Sequence, residues 1–145
     1  MLRIPRAYAD HMVAHAQDGW PNEICGLIAA ENGRLVQAYR VKNVDENPRV
    51  RYNMDPSELL RVTMEIDRRG WELYGIYHSH PATQAVPSAT DRAMAIDADA
   101  PRGEQARWPG AIYFIVSLQD RERPQVRAWR ILEEASVEEE VSVVD

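Results

Sequence analysis

The sequence predicts a single-domain α+β fold, a mixed α/β arrangement in which helices flank one curved, mostly antiparallel or mixed β-sheet. Strand-like and helix-like segments interleave along the chain, and hairpin signals between neighbouring strands favour antiparallel pairing. The 145 residues, of which 45% are hydrophobic and 28% charged, suit one globular domain with one core.

The first part of the chain is expected to form a helix and then a hairpin. The helix runs from Pro5 to about Asp18, with proline in its first turn and Gly19 at its end. The segments "EICGLIAA" and "RLVQAYRV" are typical of strands, and the Asn32-Gly33 pair between them is a hairpin signal. The segment "RVRYNM" is a candidate for a short strand.

The clearest helix is "DPSELLRVTMEIDRRG", in which Asp55 can cap, Pro56 takes the first position and Glu58 completes a capping box. The segment "WELYGIYHSH" then predicts a buried strand, and a short helix starts near Ser88. After the long polar loop "DADAPRGEQARWPG", the segments "AIYFIVSL" and "QVRAWRIL" predict two late strands. Loops of that length inside a compact domain are often functional.

Composition and charge argue against several classes of partner and location. Seventeen basic and twenty-three acidic residues give a net charge of −6, so nucleic acid is not an expected partner. No run approaches the roughly 20 apolar residues of a membrane helix, and the N-terminus lacks the apolar region of a secretory signal. Cys25 is the only cysteine and cannot form an internal disulfide, which agrees with the cytoplasmic location that we expect.

The acidic residues are concentrated at the C-terminus. Residues 1–133 are predicted to form the domain, and residues 134–145 are predicted to form a solvated acidic tail.

The stretch "YGIYHSHPATQAVPSATD" combines metal-binding residue types at a suitable spacing. Side chains alternate along a strand, so His78 and His80 point to one face, with Tyr74 and Ile76 behind them. Asp91 follows the second histidine by eleven positions. A catalytic zinc site usually has three protein ligands and an open position for water, and these three residues would fill that requirement.

A purely structural interpretation remains open for the same residues. Ser88-x-x-Asp91 is also a capping-box pattern, so both residues can serve to start a helix. Two histidines on a strand can likewise pack as ordinary side chains. The metal and capping interpretations are compatible, because a helix N-terminus is a good place to fix both side chains.

The pattern resembles the signature of a known enzyme family. His78-Ser79-His80, seven residues, Ser88, two residues and Asp91 match the H-x-H-x7-S-x2-D signature of the JAMM (MPN+) metallopeptidases. The similarity extends over most of the chain in the order of its elements. It implies the JAMM/MPN fold, which is cytidine-deaminase-like.

The resemblance also implies roles for five residues. His78, His80 and Asp91 would bind Zn²⁺. Glu23 in "NEICGLI" stands where the family has its glutamate general base; the sequence alone could not have selected it among the acidic residues. Ser88 would donate a hydrogen bond to the tetrahedral oxyanion. Ser79 faces the other side of the strand and is expected to be structural.

Within the family, the chain is most similar to the small bacterial members. The resemblance of the chain to these members implies that it hydrolyses the bond after the C-terminal Gly-Gly of a ubiquitin-like sulfur-carrier protein, with release of cysteine or a short tail. Two alternatives stay open: a non-catalytic binding or scaffold module of the same fold, and a zinc hydrolase of small peptides or amides. Formation of a homodimer is also left open.

Three further features of the sequence are not assigned to the metal site. His11 and His15 lie one helical turn apart, but Met12 stands where a zincin motif needs glutamate, which disfavours a second metal site. Cys25 is expected to be a small buried hydrophobe rather than a nucleophile. Trp108 can serve either as a substrate contact or as an anchor of the long loop.

Overall fold

A computed structural model describes residues 1–145, with three helices and eight strands. The helices are α1 (Arg6–Gly19), α2 (Pro56–Arg68) and α3 (Ala89–Ala95). The strands are β1 (Leu2–Pro5), β2 (Cys25–Glu31), β3 (Arg34–Val41), β4 (Glu72–His80), β5 (Ile112–Ser117), β6 (Gln125–Ile131), β7 (Ser136–Glu139) and β8 (Val141–Val144). None of the helices is long and apolar enough to cross a membrane.

Six strands form one mixed sheet in the order β3-β2-β4-β5-β6-β7. β4 and β5 run parallel, and every other neighbouring pair is antiparallel. A parallel pair needs a long crossover connection, and residues 81–111, which include α3, provide it here. The predicted α+β class with a mixed sheet and flanking helices is confirmed, and the crossover returns α3 to the carboxyl end of β4.

The sheet separates two hydrophobic cores. On one face, Leu27, Ile76 and Ile115 belong to a core that includes residues of α2 and α3. On the other, Tyr77 and Phe114 belong to a core that includes residues of α1 and β1. Burying each such side chain contributes roughly 1.5–3 kcal/mol, so β4 is held firmly from both sides.

The predicted position of Tyr74 on the same face as His78 is wrong. The pairing of β2 with β4 passes from Ile28↔Gly75 to Ala29↔Leu73, so Tyr74 is an extra residue in a bulge. The bulge turns the Tyr74 ring to the α1 face, where it stacks on Phe114 with ring centroids 6.3 Å apart.

The start of α2 and the segment before it also differ from expectation. Pro56 takes the first turn as predicted, but Asp55 makes no capping hydrogen bond through its side chain. Glu58 Oε1 instead accepts from the backbone N–H of Lys42 at 2.9 Å, because the end of β3 comes within its reach. The predicted strand "RVRYNM" is a loop whose only bridge joins Met54 to Asn43.

The acidic C-terminal segment forms strands, whereas the sequence favours a solvated tail. β7 pairs with β6, and β8 pairs in parallel with β1 at the opposite end of the chain. The acidic side chains find arginine partners on β6: Glu138 binds Arg127 at 2.7 Å and Glu139 binds Arg130 at 2.6 Å. Local sequence could not show the pairing of β8 with β1, because the two ends of the chain meet only in the folded protein.

The two histidines of α1 hydrogen-bond one buried hydroxyl. His15 Nδ1 lies 2.7 Å from the Tyr77 hydroxyl, and His11 Nε2 lies 3.2 Å from it. Tyr77 also leaves no room beside Gly26, where an added Cβ would come within 2.3 Å of its ring. The two histidines therefore help to fix the side chain that immediately precedes His78 in β4.

Acid is expected to destabilise the protein through His15. Burial lowers the pKa of His15 from 6.5 to about 4. Between these values the unfolded chain binds a proton at His15 and the folded chain does not, so this contribution to stability is lost as the pH falls. When the pH falls from 7 to 4.5, the unfolding free energy of wild type should therefore decrease by roughly 1–2 kcal/mol more than that of His15→Gln. Urea titrations of both proteins measure this difference, and a constant difference across pH would contradict the prediction.

Candidate metal centre

Three predicted metal ligands converge at the carboxyl end of β4. His78 and His80 extend from the strand, and Asp91 lies in the first turn of α3. The two Nε2 atoms are 3.1 Å apart, and Asp91 Oδ2 lies 3.1 Å from His78 Nε2 and 3.0 Å from His80 Nε2. Each residue is at most 5% exposed, so the three atoms form a buried triangle.

The chemistry of this triangle fits a metal ion. His80 Nδ1 lies 2.6 Å from the carbonyl oxygen of Gln84, which can only accept, so Nδ1 carries a proton and Nε2 offers a lone pair when the ring is neutral. That lone pair faces a carboxylate oxygen and a second imidazole nitrogen, an arrangement that a cation bound between the groups would satisfy. Edges of 3.0–3.1 Å allow one ion to touch all three atoms at the roughly 2.0–2.1 Å typical of zinc.

A capping box aims the carboxylate of Asp91 at the histidines. Ser88 Oγ accepts from the Asp91 N–H at 3.0 Å, and Asp91 Oδ2 accepts from the Ser88 N–H at 2.9 Å. The capping and metal interpretations therefore apply to the same atoms. The bond from Asp91 uses an oxygen lone pair of Ser88, so the proton of this exposed hydroxyl is left to donate elsewhere.

Electrostatics favour the metal-binding protonation states of Asp91 and His78. Burial alone would raise the pKa of Asp91, but the hydrogen bonds with His78 and His80 outweigh it and hold the pKa well below its usual range. Burial lowers the pKa of His78, which favours the neutral imidazole. For His80, burial is outweighed by the hydrogen bonds to Asp91 and to the Gln84 carbonyl, which raise its pKa. Deprotonated carboxylate and neutral imidazole are the forms in which these side chains coordinate a metal.

Two groups that support the histidines carry no sequence signal. The Tyr52 ring stacks on His78, with ring centroids 4.5 Å apart and an interplanar angle of 26°. The Gln84 carbonyl orients His80 through the main chain, which no residue type reveals. Tyr52 lies in the loop that was predicted as a strand, so its role depends on a tertiary contact.

Glu23 is a buried carboxyl group beside the triangle. Its Oε1 has no hydrogen-bond partner, and burial raises its pKa to about 8. The charges of His80 and Asp91 both act on that pKa, which places the three groups in one electrostatic environment. A perturbed, unpartnered carboxyl next to a metal site is a candidate for proton transfer.

Ser79 connects the strand that carries His78 and His80 to the segment that carries Glu23. Its Oγ accepts from the Ile24 N–H at 2.9 Å, and its own N–H donates to the Ile24 carbonyl at 3.1 Å. The side chain lies on the opposite face from the two histidines, as strand alternation predicts. Its contribution is to the structure of the site.

Replacing Ser79 by alanine should destabilise the protein. The substitution would leave the Ile24 N–H buried without an acceptor, which costs about 1–3 kcal/mol. Denaturant titrations of the two proteins measure the loss. Thr63→Val is a suitable control, because it removes a hydroxyl that bonds only to carbonyls of its own helix. Equal stability of Ser79→Ala and wild type would contradict this role.

An apolar pocket of about 110 Å³ adjoins the triangle of His78, His80 and Asp91. Tyr52, which stacks on His78, and Ile76, which precedes it on the same face of β4, both line this pocket. Trp108 from the long loop is half-buried, packs against the core and contributes one wall. It therefore anchors the loop and borders the pocket at the same time.

Cys25 has the environment of a structural thiol. It is fully buried, and its Sγ donates to the Val41 carbonyl at 3.3 Å. Burial raises the pKa of the thiol to about 12, so the thiolate needed for nucleophilic attack is not populated near neutral pH. The expectation of a small buried hydrophobe is confirmed.

Comparison with known proteins decides the family. A model of prokaryotic homologs of the JAB domain matches residues 5–132. The chain belongs to this family. The prediction of a JAMM-type fold and family is confirmed, and this JAB-family chain is accordingly a hydrolase.

Relatives and solved structures agree with the JAB assignment. The chain is 37% identical over 118 residues to the desampylase of Haloferax volcanii, which is 77% of each chain. It is 35% identical over 136 residues to the CysO-cysteine peptidase of Mycobacterium tuberculosis, or 92% of this chain and 85% of that protein. The solution structure of a Desulfitobacterium hafniense protein matches with a TM-score of 0.78 and 30% identity, covering 100% of this chain and 94% of the other.

Proposed function

We propose that this chain is a zinc metallopeptidase that hydrolyses the bond after the C-terminal Gly-Gly of a ubiquitin-like sulfur-carrier protein, releasing cysteine or a short tail. The observation that carries the proposal is the buried triangle of His78, His80 and Asp91 beside the unpartnered carboxyl of Glu23. The similarity to a CysO-cysteine peptidase and to a desampylase supports the choice of substrate class.

Each residue of the site would have a distinct task. His78, His80 and Asp91 would hold the ion. Zinc supplies Lewis-acid chemistry, since it polarises a carbonyl and lowers the pKa of water toward 7. Glu23 would take the proton of the attacking water and pass it to the leaving amine. The free hydroxyl proton of Ser88 would donate to the developing oxyanion, a contribution typically worth a few kcal/mol.

The surroundings suit an extended substrate tail. The apolar pocket beside Tyr52 is well below the roughly 300–1,000 Å³ of a site for a drug-sized ligand, so it has room for a side chain rather than a whole small molecule. A tail that reaches this pocket would place one side chain there, beside the Tyr52 ring that stacks on His78. This arrangement favours a protein tail over a free dipeptide as the substrate.

A panel of three substrates tests the proposal. The purified, zinc-loaded protein would be incubated with a carrier bearing cysteine after Gly-Gly, with an isopeptide conjugate of that carrier, and with free dipeptides. We expect cleavage after Gly-Gly in the carrier and no turnover of dipeptides. Turnover of dipeptides alone would favour the small-amide hydrolase, and failure to cleave any substrate with zinc bound would favour the scaffold alternative.

A further inference from the structure

The segment that carries Glu23 is held by a loop remote in sequence. Glu23 precedes β2, so the sheet ladder does not fix it. Its N–H donates to the Pro48 carbonyl at 2.7 Å, and its carbonyl accepts from Asn43 Nδ2 at 2.9 Å. Both partners belong to the connection between β3 and α2, residues 42–55, which we call the β3–α2 loop.

Asn43 uses its full hydrogen-bonding capacity in this loop. Its Nδ2 donates to the carbonyls of Glu23 and Arg51, at 2.9 and 3.0 Å. Its Oδ1 accepts from the N–H groups of Asp45 and Asn53, at 3.0 and 2.9 Å. An amide side chain offers two donors and two acceptor lone pairs, so all four positions are filled and its orientation is fixed.

A second attachment holds the other side of the same segment. Ile24 exchanges two hydrogen bonds with Ser79, which lies between the two histidine ligands on β4. Glu23 therefore sits between the rigid strand of the metal site and the loop that Asn43 organises. Its own carboxyl makes no compensating bond through Oε1, so the position of the carboxyl depends on its backbone.

We propose that Asn43 is a positioning residue that holds the backbone of Glu23, and with it the carboxyl group, at the distance required for proton transfer. The inference rests on the proposed function, because it assigns Asn43 to the reaction in which Glu23 acts. Proton transfer requires heavy atoms about 2.6–3.2 Å apart, and a misplacement of about 1 Å can cost 10²-fold in rate. Asn43 thus acts through Glu23 and touches neither substrate nor metal.

Two substitutions separate this role from a general loosening of the loop. Asn43→Ala removes all four hydrogen bonds, whereas Asn43→Asp keeps the acceptor for Asp45 and Asn53 and removes the donors to the Glu23 and Arg51 carbonyls. Both should lower kcat by about 10- to 100-fold with KM and zinc content unchanged. Glu58→Ala is the matched control, since it removes a 2.9 Å hydrogen bond to Lys42, one residue earlier, and should keep kcat within about twofold.

Hydrogen exchange supplies a readout that does not depend on activity. In the zinc-loaded protein, Asn43→Ala should speed amide exchange in a peptide covering residues 22–26, while a peptide from β4 stays protected. Unchanged exchange at residues 22–26, wild-type kcat in both Asn43 variants, or an equal loss in Glu58→Ala would overturn the inference. If exchange rises as expected but wild type cleaves no Gly-Gly substrate, Asn43 still holds the segment that carries Glu23. The catalytic role of Asn43 and the proposed function would then both be wrong.

Discussion

Replacing Glu23 by glutamine is expected to lower kcat for cleavage after Gly-Gly by about 10²–10⁴-fold, the usual contribution of a general acid-base group. The substitution keeps the size of the buried side chain and removes its ability to accept a proton. Its Oε1 makes no hydrogen bond that the change would break, so the fold should be retained. Initial rates with a carrier bearing cysteine after Gly-Gly provide the measurement.

The same variant should keep its metal. Glu23 is not among the three side chains that form the buried triangle, so zinc content should equal that of wild type. Glu104→Gln, a change at an exposed glutamate of the long loop, is the control for removing one carboxylate and should leave kcat unchanged. Wild-type activity in Glu23→Gln would remove Glu23 from the mechanism.

Replacing His80 by alanine is expected to abolish both zinc binding and cleavage. The Nε2 atom of His80 is one of the three corners of the triangle, so its loss leaves only His78 and Asp91 as ligands. A bound metal stabilises the folded state by mass action, by about 2.7 kcal/mol at one hundred times its dissociation constant. A chelator should therefore lower the unfolding temperature of wild type by about 5–10 °C and leave His80→Ala unaffected.

His11 provides a matched histidine control for this measurement. It bonds the Tyr77 hydroxyl on the α1 face and lies outside the triangle. His11→Ala should retain zinc, retain cleavage and respond to the chelator like wild type. A chelator response in His80→Ala equal to that of wild type would show that the metal binds elsewhere.

The parts of the site that local sequence could predict are those set by local geometry. Strand alternation places His78 and His80 on one face, and the spacing from Ser88 to Asp91 is a helix-capping pattern that also aims the carboxylate. Most strands and helices follow for the same reason, because their periodicity is visible in short windows.

The parts that local sequence missed depend on contacts between distant segments. Glu23 required the family resemblance, since its neighbour Ile24 meets Ser79 across 55 positions of sequence. Asn43 and Tyr52 lie in a loop with no motif, and only the folded chain brings them to Glu23 and His78. The bulge at Tyr74 depends on the register between β2 and β4, and the pairing of β8 with β1 depends on the two ends of the chain meeting in the fold.

X-ray absorption at the zinc edge of the purified, zinc-loaded protein tests the central claim most directly. The account predicts one zinc per chain with nitrogen and oxygen ligands at about 2.0–2.2 Å, including two imidazoles, and no sulfur. His80→Ala should carry no bound zinc after the same treatment. A folded protein that binds no zinc, or a sulfur ligand at about 2.3 Å from Cys25, would contradict the assignment of His78, His80 and Asp91 as the metal site.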